Sequence, residues 1–208
     1  GGGGNFGVVT SFEFRLHQLG PEVFALNVAY PLEDAARVLA GWRDAVADAP
    51  DDLSTAGFIW SLPVIDELPE ELRGAPYVGV AGMWAGDPDE GERVTQALRA
   101  LATPLLDMSA TMPYLEFQQS LDPFFPAGAR RYWKALYLDG FSDAAIDTTV
   151  DWSNRRPSND TLVIIRHCGG AIARVGAEET AFGDRSSEWM LSIDSTWHGP
   201  AHDETNIA

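Results

Sequence analysis

Apolar and polar residues along the chain fall into two periods, and the switches between them mark out its elements. From Phe6 to Leu19, Val8, Thr10, Phe12, Phe14 and Leu16 recur every second position, with Glu13 and Arg15 between them, which predicts a strand. Gly20-Pro21 reads as a turn and 23–31 as a second strand. The period then lengthens over 32–49. Leu32, Ala35, Ala36, Leu39, Trp42, Val46 and Ala49 share one helical face, acids open the segment and Pro50 follows it, so a helix is expected there. Strands are predicted over 54–63 and 77–86, followed by a helix over 88–104 with Pro88 near its start. Further on, 132–138 reads as a strand. Ser142 caps a helix over 142–156 whose packed side is Ala145, Ile146, Thr149, Val150 and Trp152. Residues 161–175 read as a strand pair broken at Gly169-Gly170, and 188–197 as a last strand. Strands joined by tight turns, with helices between groups, predict an α+β fold: an antiparallel-rich sheet with helices packed on one face. The tryptophans at 42, 60, 84, 133 and 152 are expected mainly in the core.

Composition narrows the function classes. The 208 residues suffice for a sizeable core, and with 45% hydrophobic residues the chain reads as ordinary globular protein. It has no apolar run long enough to span a membrane and no basic-then-apolar leader, and a cytoplasmic protein is the expectation. A single cysteine, Cys168, excludes an internal disulfide framework and a cysteine-built zinc site. Thirty-one acids against fourteen bases give a net charge of −17, and Lys134 is the only lysine. Such a surface repels phosphate, so no nucleic acid partner is expected. A GC-rich genome and adaptation to high salt both favour this balance; with 18 aspartates against 13 glutamates spread through the chain, salt adaptation is preferred.

The chain opens on GGGGNFGVV. A glycine-rich loop can bring backbone N–H groups close to a ligand, but here the glycines precede a strand and no helix start follows, so the dinucleotide fingerprint fails on context. Taken alone, the run fits a linker as well as a ligand loop. The stretch GGGGNFGVVTSFEFRLH, however, resembles the closing signature of the FAD-binding domain in the berberine-bridge-enzyme-like branch of the vanillyl-alcohol-oxidase superfamily. Four later stretches resemble family segments in the same order: RRYWKALYLDGFSDAAID at 130–147, CGGAIARV at 168–175, TAFGDR at 180–185 and WMLSIDSTWHGPAHDETNIA at 189–208.

The resemblance implies that residues 1–19 end an FAD-binding domain and cross over from it, and that 20–208 form a substrate-binding domain. It further implies that the rest of the FAD domain, with any covalent flavin attachment, lies upstream, and that a C-terminal return segment lies beyond Ala208. The family's glycine loop packs against the flavin, which carries over to Gly2, Gly3, Gly4, Asn5, Phe6, Gly7 and Val8. In the family, polar side chains of the last strand face the flavin. Met190, Ser192 and Asp194 share one side of that strand here, so Ser192 and Asp194 are the candidate catalytic residues and Met190 a substrate contact. Asp194 also fits an ordinary solvated aspartate. Tyr132 and Lys134 share a side of the YWK strand and are candidate substrate-binding residues, although Lys134 equally suits a surface salt bridge. All four of Tyr132, Lys134, Ser192 and Asp194 are expected to face one concavity away from the helices. His198 and His202 have helical metal-ligand spacing, but Gly199-Pro200 breaks that helix and no metal is expected. His167-Cys168 reads as an inert pair in an apolar strand. The function implied is the substrate-binding part of an FAD-dependent oxidoreductase acting on a small molecule, inactive without its FAD domain. A non-catalytic carbohydrate- or small-ligand-binding α+β module is the alternative.

Overall fold

The computed structural model describes residues 4–183 and 185–207. Its centre is an antiparallel sheet in the order β4-β1-β3-β2-β7-β8-β6, with β5 also paired to β1. The strands are β1 (Glu22–Pro31), β2 (Leu53–Ser61), β3 (Pro76–Trp84), β4 (Leu106–Asp107), β5 (Ala110–Pro113), β6 (Arg130–Leu138), β7 (Leu162–His167) and β8 (Trp189–Trp197). The helices are α1 (Ala35–Val46), α2 (Pro88–Val94), α3 (Gln96–Arg99), α4 (Tyr114–Gln119), α5 (Asp143–Ser153) and α6 (Asp203–Ile207). The α+β class read from the periodicity is the class observed.

The strand alternation decides what each sheet face meets. On one face Leu26, Val28, Tyr30, Ile59, Val78, Val80, Val163 and Ile165 form the main core with Val38, Leu39 and Trp42 of α1, Leu98 of α3 and Ile146 of α5. Trp42 is fully buried, donates its indole N–H to the Thr55 hydroxyl at 2.9 Å and meets the Trp189 ring edge-on at 5.5 Å. Gly57 lets α1 approach this closely, because a Cβ there would stand 2.8 Å from the Trp42 ring and 2.9 Å from Leu39. Arg43 ties α1 to the start of α5 through the Phe141 carbonyl (3.0 Å) and the Asp143 carboxylate (2.7 Å). The second sheet face carries no long helix. One end of it is covered by a smaller cluster in which Phe58, Tyr77 and Leu162 pack with Leu68, Leu72 and Phe125 from loops.

Several elements differ from the sequence reading. Residues 7–20 are in no strand; Val8 is 91% exposed and Leu16 85%. Alternation records a side-chain period, whereas a strand also needs a neighbour's N–H and C=O groups, and this segment has none among the described residues. The helix expected over 88–104 is two short helices ending at Arg99. Thr95 sits at the break, with its buried hydroxyl bonded back to the Gly91 carbonyl at 2.8 Å. Of the expected strand pair at 161–175, only β7 forms. Gly170 turns the chain with φ +59°, and the Arg174 amide closes back on its carbonyl at 3.2 Å. Trp42 and Trp84 are core residues, but Trp133 is 50% exposed and Trp152 63%; Trp152 packs under the Arg155 guanidinium at 4.7 Å rather than on the buried side of α5. The short elements β4, β5, α4 and α6 went unread because none is long enough to show a period.

The carboxylate excess suggests a measurement on the fold. Raising potassium chloride from 0.1 M to 2 M is expected to raise the melting temperature by roughly a few degrees, as mutual repulsion among the surface carboxylates is screened. A flat or falling melting temperature by circular dichroism would contradict salt adaptation.

Candidate functional site

The ladder registers fix the side of the sheet that each candidate residue occupies. In β8, Ser192 stands between Ile164 of β7 and Ala135 of β6, and Asp194 between Leu162 and Trp133. These residues lie on the face without helices, in line with Phe58 and Arg166. Met190 belongs to the same row, between Arg166 and Tyr137. Lys134 pairs with Ile193 and Tyr132 with Ser195, so both point to the opposite, helix-bearing side. The expectation that Tyr132, Lys134, Ser192 and Asp194 share one concavity is therefore corrected. Both pairs have even numbers within their own strands, but the register sets 134 against 193, and a one-residue offset inverts the face.

Ser192 and Asp194 are 7% and 6% exposed. The Ser192 hydroxyl donates to a carboxylate oxygen of Asp194 in a short hydrogen bond. Among the described residues no Arg, Lys or His lies within ion-pair distance of Asp194, so it is not the solvated surface aspartate that composition suggested. A buried carboxylate that accepts from a neighbouring hydroxyl, flanked by Trp133 and Leu162, is a common setting for a proton acceptor. Among the described residues Lys134 makes no salt bridge; its ammonium lies 5.3 Å from the Tyr132 ring centroid.

Around Asp194 the face is aromatic. Trp133 meets Phe125 edge-on at 5.9 Å, Trp60 lies 6.4 Å from the same Phe125, and Tyr137 contacts Phe182 at 6.4 Å. Sequence reading did not single out Trp133, Tyr137 or Arg166 as site residues. The signal that finds them is cross-strand register, which a single strand's alternation does not contain.

The glycine stretch is described from Gly4; Gly2 and Gly3 lie outside the described residues. Gly4 (φ +73°), Asn5 (φ 59°) and Gly7 (φ 141°) all have positive φ, and a Cβ on Gly4 or Gly7 would meet nothing within 4 Å. Asn5, Phe6 and Val8 are exposed beside them. The loop thus presents bare, open backbone. His167 packs on Trp189 at 4.7 Å; burial lowers its pKa, with Glu188 at 3.9 Å pulling the other way. Burial raises the Cys168 thiol's pKa, which suits an inert residue. Among the described residues no three His, Cys, Asp or Glu side chains converge as a metal site.

Comparison with known proteins follows the motifs. An FAD-linked oxidoreductase of Dictyostelium discoideum is 25% identical over 199 residues, covering 94% of this chain and 41% of the relative. The uncharacterized FAD-linked oxidoreductase YvdP of Bacillus subtilis is 24% identical over 213 residues, covering 100% of this chain and 45% of the relative. The chain is a relative of FAD-linked oxidoreductases. Its fold is shared with the wild-type BBE-like 1 protein of Physcomitrella patens, at a TM-score of 0.71 and 16% identity over 93% of this chain and 43% of that one. No family model matches the chain. It spans less than half the length of the curated relatives it matches, as the 41% and 45% coverages state.

Proposed function

We propose that this chain is the substrate-binding part of an FAD-dependent oxidoreductase that oxidises an alcohol, a sugar hydroxyl or a similar carbon. Residues 1–19 are then the end of the flavin-binding domain and its crossover, and 20–208 the substrate-binding domain. The observation that carries this reading is the buried Ser192–Asp194 pair, with no Arg, Lys or His within ion-pair distance among the described residues, on the sheet face that carries no long helix. The FAD-linked names of the relatives support it.

From this chain, Gly4, Asn5, Phe6, Gly7 and Val8 would hold the cofactor, since their bare backbone admits a flat ring system; Gly2 and Gly3 belong to the same run. Bound FAD supplies a hydride acceptor, chemistry that no side chain of the chain offers. The chain's own task is to place the substrate and move its hydroxyl proton. Asp194 receives that proton at a carboxylate oxygen, and the Ser192 hydroxyl fixes the carboxylate's orientation. Trp133 and Leu162 on either side keep water from competing for the carboxylate. Met190 and Tyr137 extend the wall against which a substrate lies. Tyr132 and Lys134, on the other side of the sheet, have no part in this arrangement.

Flavin content tests the reading. The 208-residue chain purified alone is expected to be colourless and to retain no stoichiometric FAD. Expressed together with the coding sequence preceding Gly1, it is expected to be yellow, with equimolar flavin. Stoichiometric flavin on the short chain, or none on the longer protein, overturns the proposal.

A further inference from the structure

On β7, Arg166 stands between Ala56 of β2 and Met190 of β8. The next residue back, Ile165, points into the main core, so alternation turns Arg166 to the other sheet face, the side of Ser192 and Asp194. Arg166 is half-buried there. Its cross-strand neighbours offer a methyl and a thioether, and Ile164 and Cys168 flank it on its own side of the chain. None of these groups balances a positive charge.

Among the described residues no hydrogen bond, ion pair or ring contact engages the Arg166 guanidinium. Every other half-buried arginine described is held by a carboxylate or a main-chain carbonyl. Shortage of acids is not the reason, because the chain has 31 of them against 14 bases. Nor is the group sealed inside the protein. Nε and Nη1 of Arg156 are buried without a partner, whereas the Arg166 nitrogens are reachable from solvent. Its charge acts on its surroundings: burial raises the Cys168 thiol's pKa, and Arg166 draws it back down.

A half-buried guanidinium with free N–H donors and no counter-charge is costly to hold, and it selects an anion that accepts two parallel hydrogen bonds. In a chain of net charge −17, one positive group favours a monoanion over a dianion, because the rest of the surface repels the second charge. A carboxylate meets both conditions. We infer that Arg166 is a specificity-determining residue, which binds a carboxylate at the end of the substrate remote from the reacting hydroxyl. This rests on the function proposed above. Met190, beside Arg166, and Asp194 lie on the same side of β8 about 13 Å apart, a span that the long arginine side chain shortens. An alcohol bearing a carboxylate across a ring reaches both groups, with its body along Met190 and Ser192.

The probes are 4-(hydroxymethyl)benzoate and 4-(hydroxymethyl)benzamide, alike in shape and different in charge, and the readout is the Arg166 Nε–H resonance of the 208-residue chain. The acid is expected to shift it saturably and to bind about tenfold or more tighter than the amide. Arg166→Gln should bring the acid down to the amide's level, and Arg166→Lys, which keeps the charge without the fork, should lie between. Arg93→Gln removes the same charge from an exposed position on α2 and should leave the preference intact. No saturable shift, equal affinity for acid and amide, undiminished binding by Arg166→Gln, or an equal loss with Arg93→Gln each overturns the inference. The acid-to-amide ratio on the unaltered chain holds this test even if Arg166→Gln does not fold. In a flavin-loaded longer form, an Arg166→Gln variant that keeps the acid preference but lowers the flavin's reduction potential would assign the guanidinium to the reduced cofactor and overturn the substrate role. Acid-selective binding by a chain whose longer form takes up no flavin would keep the carboxylate site and overturn its assignment to a flavoenzyme substrate. A flavin-loaded longer form whose chain does not distinguish acid from amide would do the reverse.

Discussion

Trp42→Ala is expected to remove about 3–5 kcal/mol of folding stability, read as a lower urea midpoint with an unchanged slope. The indole is fully buried between α1 and the sheet, packed against Trp189 and seated on a glycine that leaves no atom free to move into the vacated space. Its N–H also serves the Thr55 hydroxyl, which would lose its partner. Since domains are stable by only about 5–15 kcal/mol, the variant is expected to be partly unfolded near its growth temperature. Trp42→Phe should recover most of the loss, short by the hydrogen bond and the smaller ring. Trp152→Ala, with its side chain 63% exposed, should change stability by no more than about 1 kcal/mol. Equal losses at the two tryptophans would contradict the assignment of α1, rather than the outer side of α5, to the core.

That contrast also shows where sequence pattern carries information. Helix α1 and strands β1, β2, β3 and β8 were legible because each buries at least one side against a continuous layer, and burial imposes its period on the residues. The helix over 88–104 misled because Ala97, Leu98, Leu101 and Ala102 keep an apolar pattern past the point where the chain leaves the helix to bring Leu105 to the Ala29 carbonyl at 2.8 Å. Propensity there yields to a sheet hydrogen bond. Segment 7–20 is the converse case: its alternation is complete, but no described neighbour supplies the ladder.

For the candidate site, the alternation within β8 was legible in the sequence and its pairing with β6 was not. The side on which Asp194 sits within β8 is a local property, and Ser192 and Met190 could be grouped with it by counting in twos. Whether Lys134 or Trp133 joins them depends on how β6 slides against β8, and two adjacent residues offer no preference until the pairing is known. Composition favours Trp133 as a packing residue, whereas the assembled sheet leaves it 50% exposed beside Asp194.

On the function proposed above, Asp194→Asn in a flavin-loaded longer form is expected to lower kcat by about 10²–10⁴-fold with little change in KM. The amide keeps the shape of the carboxylate and can still meet Ser192, but it cannot take a proton from a substrate hydroxyl. Removing a buried charge that has no cationic partner among the described residues should not lower the melting temperature, so a loss of turnover without a loss of stability separates a proton acceptor from a structural aspartate. Ser192→Ala should fall between the two, because the carboxylate remains and only its orientation loosens. Lys134→Ala is the control for the face. Its ammonium lies over Tyr132 on the helix-bearing side, and its loss is expected to leave kcat nearly unchanged. A large loss with Lys134→Ala and none with Asp194→Asn would place the chemistry on the other side of the sheet.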